Sequence, residues 1–266
     1  MSERPIALIT GASAGLGAAF ARALAARGCD LILVARRAGR LETLAQEIMQ
    51  KTGFQAEPFC ADLTIPEDLH RVEERIRRLP HLDYLINNAG FGVRGLFADS
   101  DLERQTAMAS LHMLATMRLT RVALPGMLDR RRGNIINVSS LSAFITLPGS
   151  IHYSATKAYL NTFSEGLARE VSCLGIRVQA LCPGFTLTEF HATPAYVSMR
   201  AYERIPRFFW DAPEKVVEAS LRRLPHGPVV FVPFFKNQVL AFGARLGLTD
   251  LFYRIVIRWF RRRPPM

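Results

Sequence analysis

The amino-acid sequence of 266 residues has no uninterrupted apolar run long enough to span a membrane, although 49% of its residues are hydrophobic. It opens with MSERP, a polar stretch that leads straight into an apolar, strand-like segment. The basic flank, long apolar stretch and small-residue cleavage site of a secretory signal peptide are missing. We therefore expect neither a transmembrane nor a secreted protein, and we expect a cytoplasmic location.

Cysteine is scarce, and its few copies are far apart in the chain. They are Cys29, Cys60, Cys173 and Cys182. Without close pairs they match neither the spacing of a zinc site nor that of a redox dithiol. We expect reduced thiols and no bound metal.

Lysine is rare among the charged residues, since only four of the 34 basic residues are lysines. The net charge is +11, yet no helix-turn-helix, zinc-finger or RNA-binding pattern accompanies it, so we expect no nucleic-acid partner. The 20 residues from Gly247 onward hold five arginines against one aspartate. Part of the positive excess is therefore concentrated in the tail.

Seven short β-rich runs alternate with longer helical patterns from one end of the chain to the other. The runs are IALIT, DLILVA, AEPFC, LDYLIN, NIINVSS, RVQALC and VVFV. This alternation predicts parallel βαβ units, and several runs are apolar throughout, as expected for strands covered by helices on both faces. Gly28 and Gly53 are suitable C-terminal stops for two of the helices. With no repeat, linker or shift in composition, we expect one α/β domain.

The first strand is followed directly by TGASAGLG, residues 10–17, which leads into an alanine-rich helix. Gly11, Gly15 and Gly17 remove side chains where the backbone turns sharply and where a phosphate would approach, and the amide groups at a helix start favour an anion. A merely tight structural turn is the alternative. Between a strand and a helix, the pattern favours dinucleotide binding.

Two arginines stand where the second strand ends. A carboxylate at this place would hydrogen-bond the ribose hydroxyls of NAD, but the chain has Ala35, Arg36 and Arg37 instead. A guanidinium pairs with a 2'-phosphate that a carboxylate would repel, so these residues predict NADP(H) as the preferred cofactor, with NAD(H) as the alternative. A solvated arginine pair at a helix start would also explain them.

An ordered set of short motifs resembles the short-chain dehydrogenase/reductase family over about residues 5–235. The motifs are TGASAGLG, then Asp62 and Leu63, NNAG at 87–90, NVSS at 137–140, YSATK at 153–157 and PG at 183–184. The resemblance implies a doubly wound, seven-stranded Rossmann sheet and NAD(P)-dependent chemistry on carbonyls and alcohols. It also implies a homodimer or homotetramer built on the two long helices beside the active site.

The resemblance assigns roles to three residues. Tyr153 is implied to be the general acid when a carbonyl is reduced and the base when an alcohol is oxidised. Lys157 is implied to lower the proton affinity of the phenol and to hold the nicotinamide ribose. Ser140, which lies 13 residues before Tyr153, matches the hydroxyl that positions the substrate, with Ser139 as its structural neighbour.

The resemblance also implies a larger set of nucleotide contacts. They are Gly11, Ser13, Ala14, Gly15, Leu16, Gly17, Arg36, Asp62, Leu63, Asn88, Ala89, Gly90, Tyr153, Lys157, Pro183, Gly184 and Thr188. Taken singly, NNAG and PG also suit loops after strands, and Asp62 also suits a turn or a helix cap.

The spacing of Tyr153 and Lys157 has its own chemical meaning. A free phenol has a pKa near ~10, which makes it a reluctant proton donor at neutral pH. Positions i and i+4 share one helix face, so the ammonium can approach the phenol and favour its ionisation. A Tyr and a Lys four positions apart on a surface helix would be the structural alternative.

His112 departs from the family pattern, which has an asparagine 28 residues before Ser140. In the family this asparagine hydrogen-bonds to a water chain that leads a proton from the lysine to solvent. Histidine can also donate and accept, so we expect that His112 can stand in the relay, and that it can become charged beside Lys157 near neutral pH. A histidine packed at a helix contact, taking no proton, is the alternative.

The segment from Thr186 to Trp210 is irregular and apolar, and it falls where the family has its substrate lid. Its vicinity supplies Phe185, Phe190, Tyr196, Met199, Tyr202, Phe208, Phe209 and Trp210, and prolines at 194 and 206. We expect a hydrophobic ketone, aldehyde or alcohol as substrate, although these side chains could equally pack the lid or an oligomer contact. Asp211, with Pro213 and Glu214 behind it, predicts an acidic helix cap.

We expect residues 1–235 to form the catalytic domain, with a lid over about 186–212, and residues 236–266 to form a basic amphipathic extension. In the extension an apolar helical face carries Leu251, Phe252, Ile255, Val256 and Trp259, flanked by Arg254, Arg258, Arg261 and Arg262. Such a helix could rest on an anionic membrane surface, or cover a groove of the protein or a partner subunit.

The sequence therefore predicts an NADP(H)-dependent oxidoreductase that reduces a hydrophobic carbonyl compound. A non-catalytic NADP(H)-binding sensor or scaffold is the principal alternative, which the departure at His112 keeps open. An epimerase or dehydratase with the same Tyr and Lys is a weaker alternative, because the chain is short for the larger substrate domain of such enzymes.

Overall fold

The computed structural model describes residues 4–146, 148–192 and 205–246. A seven-stranded parallel sheet forms its centre, with strand order β3-β2-β1-β4-β5-β6-β7. The strands are β1 (Ile6–Thr10), β2 (Asp30–Ala35), β3 (Ala56–Cys60), β4 (Tyr84–Asn87), β5 (Gly133–Val138), β6 (Ile176–Leu181) and β7 (Val230–Phe231). This confirms the predicted single domain with a doubly wound, seven-stranded sheet.

Helices cover both faces of the sheet. They are α1 (Gly15–Ala25), α2 (Ala38–Thr52), α3 (Pro66–Arg77), α4 (Leu102–Ala109), α5 (Thr116–Asp129), α6 (Ile151–Val171), α7 (Pro213–Arg223) and α8 (Phe235–Arg245). A π-helical segment, Ser110–Ala115, joins α4 to α5 without a break. Gly53 ends α2 in the left-handed conformation that its position after the apolar pattern predicted.

The core lies in two layers, one on each side of the sheet. Alternate residues of a strand enter opposite layers. Ile9 packs in the layer that contains Phe20 of α1 and Leu41 of α2, whereas Leu8 packs in the layer that contains Val72 of α3 and Leu119 of α5. Strands that are apolar at every position are therefore needed here, as the sequence indicated.

A buried polar network joins four elements beneath the carboxyl ends of the central strands. Asn87 of β4 donates to Asn137 of β5 at 2.9 Å and to Thr120 of α5 at 3.2 Å. Asn137 in turn donates to Ser164 of α6 at 2.9 Å. Because buried amides need partners, this network fixes how α5 and α6 sit against β4 and β5.

The predicted acidic cap at Asp211 is wrong. The helix begins at Pro213, with Glu214 in its first turn as expected, but Ala212 is its cap residue and no side chain caps it. The Asp211 carboxylate instead contacts Lys236 Nζ at 2.8 Å and accepts a hydrogen bond from Asn237 Nδ2 at 3.1 Å. A carboxylate that is 9% exposed is better stabilised by an ammonium and an amide than by amides at an exposed helix start.

The boundary expected after residue 235 falls at the start of α8, and the first turn of this helix packs against the domain. Asn237 is 2% exposed, and a Cβ added to Gly184 would lie 2.6 Å from Asn237 Oδ1. The amphipathic pattern from Leu251 to Arg262 lies outside the described residues. Among the helices that the structure describes, none is long and apolar enough to cross a membrane.

The irregular segment after β6 is described in two parts. Residues 193–204, which include Pro194, Tyr196, Met199 and Tyr202, lie outside the description. On either side of them, Thr186 forms a parallel bridge with Asp211, and the rings of Phe185 and Trp210 lie 5.5 Å apart. The two ends of the segment are thus held together beside β6.

Candidate active site

The order of the strands reverses between β1 and β4, so the loops after these two strands diverge and leave a crevice at the carboxyl edge of the sheet. The side chain of Thr10, the last residue of β1, binds the loop after β4. Its Oγ1 accepts hydrogen bonds from the amides of Asn88 and Ala89 at 2.9 and 3.0 Å. These hydrogen bonds therefore hold the end of β1 and the loop after β4 together at the bottom of the crevice.

The glycine turn has room for no side chain at two of its positions. Gly11 has φ +67°, and a Cβ there would lie 2.8 Å from Asn88 Nδ2. A Cβ on Gly17 would lie 2.2 Å from the carbonyl oxygen of Gly11. The start of α1 is thereby pressed against the turn, and Ala14, its cap residue, offers no side-chain acceptor to the first amides. The cradle fits the pyrophosphate of a dinucleotide.

The side chain of Asn88 hydrogen-bonds to the backbone of this turn. Its Nδ2 donates to the carbonyl oxygens of Thr10 at 2.9 Å and Gly11 at 3.3 Å. The side-chain amide of Asn88 thus supports the phosphate cradle, while the residues implied to line the ribose, Ala89 and Gly90, follow it in the same loop.

Three arginines form a basic pocket beside the glycine turn. Arg37 donates from Nε and Nη2 to Ser13 Oγ at 3.1 and 2.9 Å, and from Nη1 to Glu189 at 2.8 Å. Arg40 also pairs with Glu189. Arg36 lies 3.6 Å from the Asp62 carboxylate. These guanidiniums fit a 2'-phosphate on the adenosine ribose.

Some of the other implied nucleotide contacts lie close to the glycine turn or the loop after β5, whereas others have a structural role in a turn or in the core. Thr188 lies over the glycine turn, since a Cβ on Gly15 would be 3.0 Å from its side chain, and Pro183 accepts the amide of Leu141 at 2.9 Å. Asp62 is a turn residue as well, because its Oδ1 accepts from the amide and hydroxyl of Thr64. Leu63 is 6% exposed, and its side chain packs in the core.

Tyr153 and Lys157 lie one turn apart on α6, and both are buried. Lys157 Nζ lies 5.7 Å from the centroid of the Tyr153 ring and donates to the carbonyl oxygen of Val138, the last residue of β5, at 2.8 Å. Ser139 Oγ donates to the carbonyl oxygen of Lys157 at 2.9 Å. The end of β5 and the middle of α6 are thereby fastened together at the crevice.

Ser140 follows Ser139 directly in the chain. Its Oγ accepts the amide of Ser142 at 3.1 Å, which opens a short 3-10 helix, Leu141–Ala143. Because the oxygen accepts in this bond, the hydroxyl proton of Ser140 is available to a substrate oxygen.

The surroundings of Lys157 alter its ionisation. Burial lowers the pKa of Lys157 from 10.5 to about 7, and the nearby Cys182 opposes that change. Lys157 therefore loses its charge near neutral pH in the nucleotide-free protein.

His112 lies in the π-helical segment and faces the same space. Its Nδ1 is 2.9 Å from Thr156 Oγ1, and this hydroxyl donates to the carbonyl oxygen of Tyr153 at 2.8 Å. The hydroxyl proton is thus committed, so Nδ1 of His112 donates and Nε2 carries the lone pair. Nε2 has no hydrogen-bond partner among the described residues.

The free nitrogen of His112 and the ammonium of Lys157 approach one glycine. A Cβ on Gly90 would lie 2.7 Å from His112 Nε2 and 3.7 Å from Lys157 Nζ. Burial, followed by the charges of Lys157 and His152, holds the pKa of His112 well below 6.5. The expectation that His112 becomes charged near neutral pH is therefore wrong, because a buried imidazole beside an ammonium stays neutral.

Apolar side chains surround the Tyr153 ring. Its centroid lies 6.0 Å from that of Phe190 and 5.8 Å from that of His112. Val93 and Met108 complete the cluster with Phe91. Only Phe190 of these apolar residues belongs to the set that the sequence singled out.

Sequence reasoning missed three charged contacts and one buried amide. Arg37 was recognised at the end of β2 but not as a contact of the glycine turn, and Arg40 and Glu189 were not recognised. The available signal for Glu189 was that the aromatic segment after PG holds only two acidic residues, Glu189 and Glu203. Asn237 had no signal, since it lies beyond the part of the chain that carries the motifs.

A parallel, doubly wound sheet with a glycine cradle at its switch point is the architecture of a dinucleotide-binding protein. The sequence model of the short chain dehydrogenase family matches residues 5–195. The chain belongs to this family and is an NAD(P)-dependent dehydrogenase/reductase.

Three relatives illustrate the similarity. A short-chain dehydrogenase from Sphingobium yanoikuyae in complex with NADPH is 35% identical, with a TM-score of 0.82 over 92% of this chain and 95% of that one. The bulky-bulky ketone specific alcohol dehydrogenase from Comamonas testosteroni is 31% identical, with a TM-score of 0.78 over 94% and 95%. The 3-oxoacyl-(acyl-carrier-protein) reductase FabG of Aquifex aeolicus (strain VF5) is 32% identical over 81% of this chain and 88% of its own.

Proposed function

We propose that this protein is an NADP(H)-dependent reductase of hydrophobic ketones or aldehydes. The observation that carries the proposal is the buried Tyr153–Lys157 pair, which lies at the same sheet edge as the glycine turn and is hydrogen-bonded to Ser139, the residue before Ser140. The preference for NADP(H) is supported by the basic pocket of Arg36, Arg37 and Arg40, and by the NADPH complex of the Sphingobium relative.

When bound at the glycine turn, NADP(H) would supply the hydride that the carbonyl carbon accepts. Tyr153 donates its phenolic proton to the carbonyl oxygen, and the Ser140 hydroxyl hydrogen-bonds to that oxygen as negative charge develops on it. Lys157, in its ammonium form, stabilises the phenolate that remains. The glycine turn would hold the pyrophosphate and the basic pocket the 2'-phosphate.

An apolar substrate is supported by the residues around the phenol. Phe91, Val93 and Phe190 pack against Tyr153 in the cluster that faces the crevice. The names of two relatives also refer to carbonyl compounds, a bulky-bulky ketone in one case and a 3-oxoacyl group in the other. We extend this substrate class to the present chain.

A substrate screen tests the proposal. We expect NADPH oxidation with aryl-alkyl ketones or 3-oxoacyl thioesters, and a kcat/KM at least about tenfold lower for short hydrophilic carbonyls, because each buried methylene contributes roughly 0.8 kcal/mol. Absorbance of NADPH follows the reaction. Activity confined to small hydrophilic carbonyls would contradict the substrate class, and tight NADPH binding without turnover of any compound would favour the sensor or scaffold.

We further propose that His112 takes part in proton transfer as a positioning residue. Its Nε2 is a buried acceptor that adjoins the same glycine as the Lys157 ammonium. A neutral imidazole with its lone pair on this side can accept a hydrogen bond from Lys157 or from a water between them. It thereby favours the charged form of Lys157.

The pH dependence of reduction tests this role. We expect kcat/KM to fall as the pH rises through about 7, because deprotonation of Lys157 removes the positive charge beside the phenol. In His112→Ala, the loss of the acceptor should shift that fall to lower pH and decrease kcat about 10- to 100-fold, since a hydrogen bond to a charged group contributes about 1.5–3 kcal/mol.

His112→Asn is the matched variant, since it restores a polar side chain of the kind usual in the family. Its turnover should equal or exceed that of the wild type. An unaltered pH-rate profile in His112→Ala would mean that the imidazole only packs between helices.

We also propose a homodimer or homotetramer. Apolar side chains are exposed along the helical run beside the site, including Leu114 and Met117, which are 45% and 37% exposed. An oligomer contact on the π-helical segment and α5 would cover them.

A further inference from the structure

Glu189 places a carboxylate in the basic pocket. It accepts a hydrogen bond from Arg37 Nη1 at 2.8 Å and also pairs with Arg40. The other edge of the Arg37 guanidinium donates to Ser13 of the glycine turn. The Arg37 guanidinium therefore links the glycine turn to the Glu189 carboxylate, which belongs to the segment after β6.

The position of Glu189 is fixed by its neighbour. Thr188 packs over Gly15, and the next residue, Glu189, opens a short 3-10 helix, Glu189–Ala192. Hydrogen bonds from Arg37 and Arg40 lower the pKa of Glu189, so that it is ionised at neutral pH. The carboxylate is thus a fixed negative charge at the mouth of the pocket.

A fixed negative charge affects the two pyridine nucleotides differently. The 2'-phosphate of NADP(H) needs the same guanidinium donors and is repelled by a carboxylate beside them. The 2'-hydroxyl of NAD(H) is uncharged and can donate to a carboxylate. The strand end after β2 lacks an acidic residue, but Glu189 brings one to this pocket from another element.

We propose that Glu189 is a specificity-determining residue that weakens the preference of this enzyme for NADP(H) over NAD(H). This inference rests on the proposed use of the basic pocket for the 2'-phosphate. In this proposal a residue after β6 contributes to the discrimination between NADP(H) and NAD(H), which the arginines after β2 would otherwise control alone.

Nucleotide titrations of the full-length protein test the inference. In Glu189→Gln, the Kd of NADPH should fall about three- to tenfold while that of NADH changes less than about twofold, because the carboxylate no longer competes with the 2'-phosphate for the exposed guanidiniums. Adenosine 2',5'-bisphosphate and 5'-AMP, which lack the nicotinamide, should reproduce this difference. The gain should shrink as the salt concentration increases.

Glu47→Gln is the matched control. Glu47 pairs with Arg22 through two hydrogen bonds of 3.0 and 2.8 Å on the surface of α2, so its replacement removes the same charge without touching the pocket. Both nucleotides should bind this variant as they bind the wild type.

Two negative outcomes are distinguishable. If the wild type binds NADPH and Glu189→Gln leaves the ratio of the NADPH Kd to the NADH Kd unchanged or raises it, the inference about Glu189 is wrong and the proposed function stands. If the wild type binds neither nucleotide, the proposed function is wrong and the inference falls with it.

Discussion

Tyr153→Phe is expected to lower kcat for carbonyl reduction by about 10²- to 10⁴-fold, the usual contribution of a positioned general acid. The substitution removes the phenolic oxygen and keeps the ring, so the packing against Phe190 and His112 should persist. Binding of NADPH should change little, because the glycine turn and the basic pocket are untouched. Single-turnover rates and NADPH titrations would separate the two effects.

Tyr159→Phe is the control for this prediction. Tyr159 lies on the same helix, and its ring stacks on Phe163 with centroids 5.7 Å apart and planes inclined by 9°. Removal of its hydroxyl should leave turnover intact. If Tyr153→Phe kept more than about a tenth of the wild-type rate, Tyr153 would not be the proton donor.

Gly17→Ala is expected to decrease NADPH affinity by about 100-fold or more and to destabilise the fold by about 3 kcal/mol, the upper range for overpacking. Helix propensity alone would favour alanine in α1 by about 1 kcal/mol. Sterics decide the outcome, because the added Cβ would lie 2.2 Å from a backbone oxygen of Gly11, which cannot rotate away. Either α1 or the turn has to move, and both belong to the phosphate cradle.

Gly166→Ala provides the comparison. Gly166 lies in α6, and an added Cβ would meet no atom within 4 Å. In Gly166→Ala the higher helix propensity of alanine should therefore decide the outcome. We expect equal or slightly higher stability in denaturant titrations and unchanged NADPH binding. Equal behaviour of the two variants would show that the glycine turn tolerates side chains and would remove the steric argument for the cradle.

The arrangement of the sheet was predictable because its signals are local. The strands are short β-rich runs, several of them apolar throughout such as DLILVA, and the alternation with helical patterns determines parallel pairing. The glycine turn and the Tyr153–Lys157 spacing are local too, since a few adjacent positions carry the whole pattern. The structure places both at the same sheet edge.

The features that were missed depend on contacts between distant positions. Arg37 and Glu189 are 152 positions apart, and no periodicity relates them. Asp211 satisfied every local rule for a helix cap, but tertiary contacts with Lys236 and Asn237 prevailed. The neutrality of His112 likewise follows from burial and from the adjacent ammonium, neither of which can be recognised from the residue type.

The contact of Asp211 with Lys236 and Asn237 has a consequence for local unfolding. The backbone of Asp211 exchanges hydrogen bonds with the strand-like stretch at Phe185 and Leu187, and its carboxylate is held by the last described helix. We therefore expect the stretch from Phe185 to Leu187 and α8 to open as one cooperative unit, so that their amides exchange with solvent together. Order in this stretch after β6 thus depends on contacts with the first turn of α8.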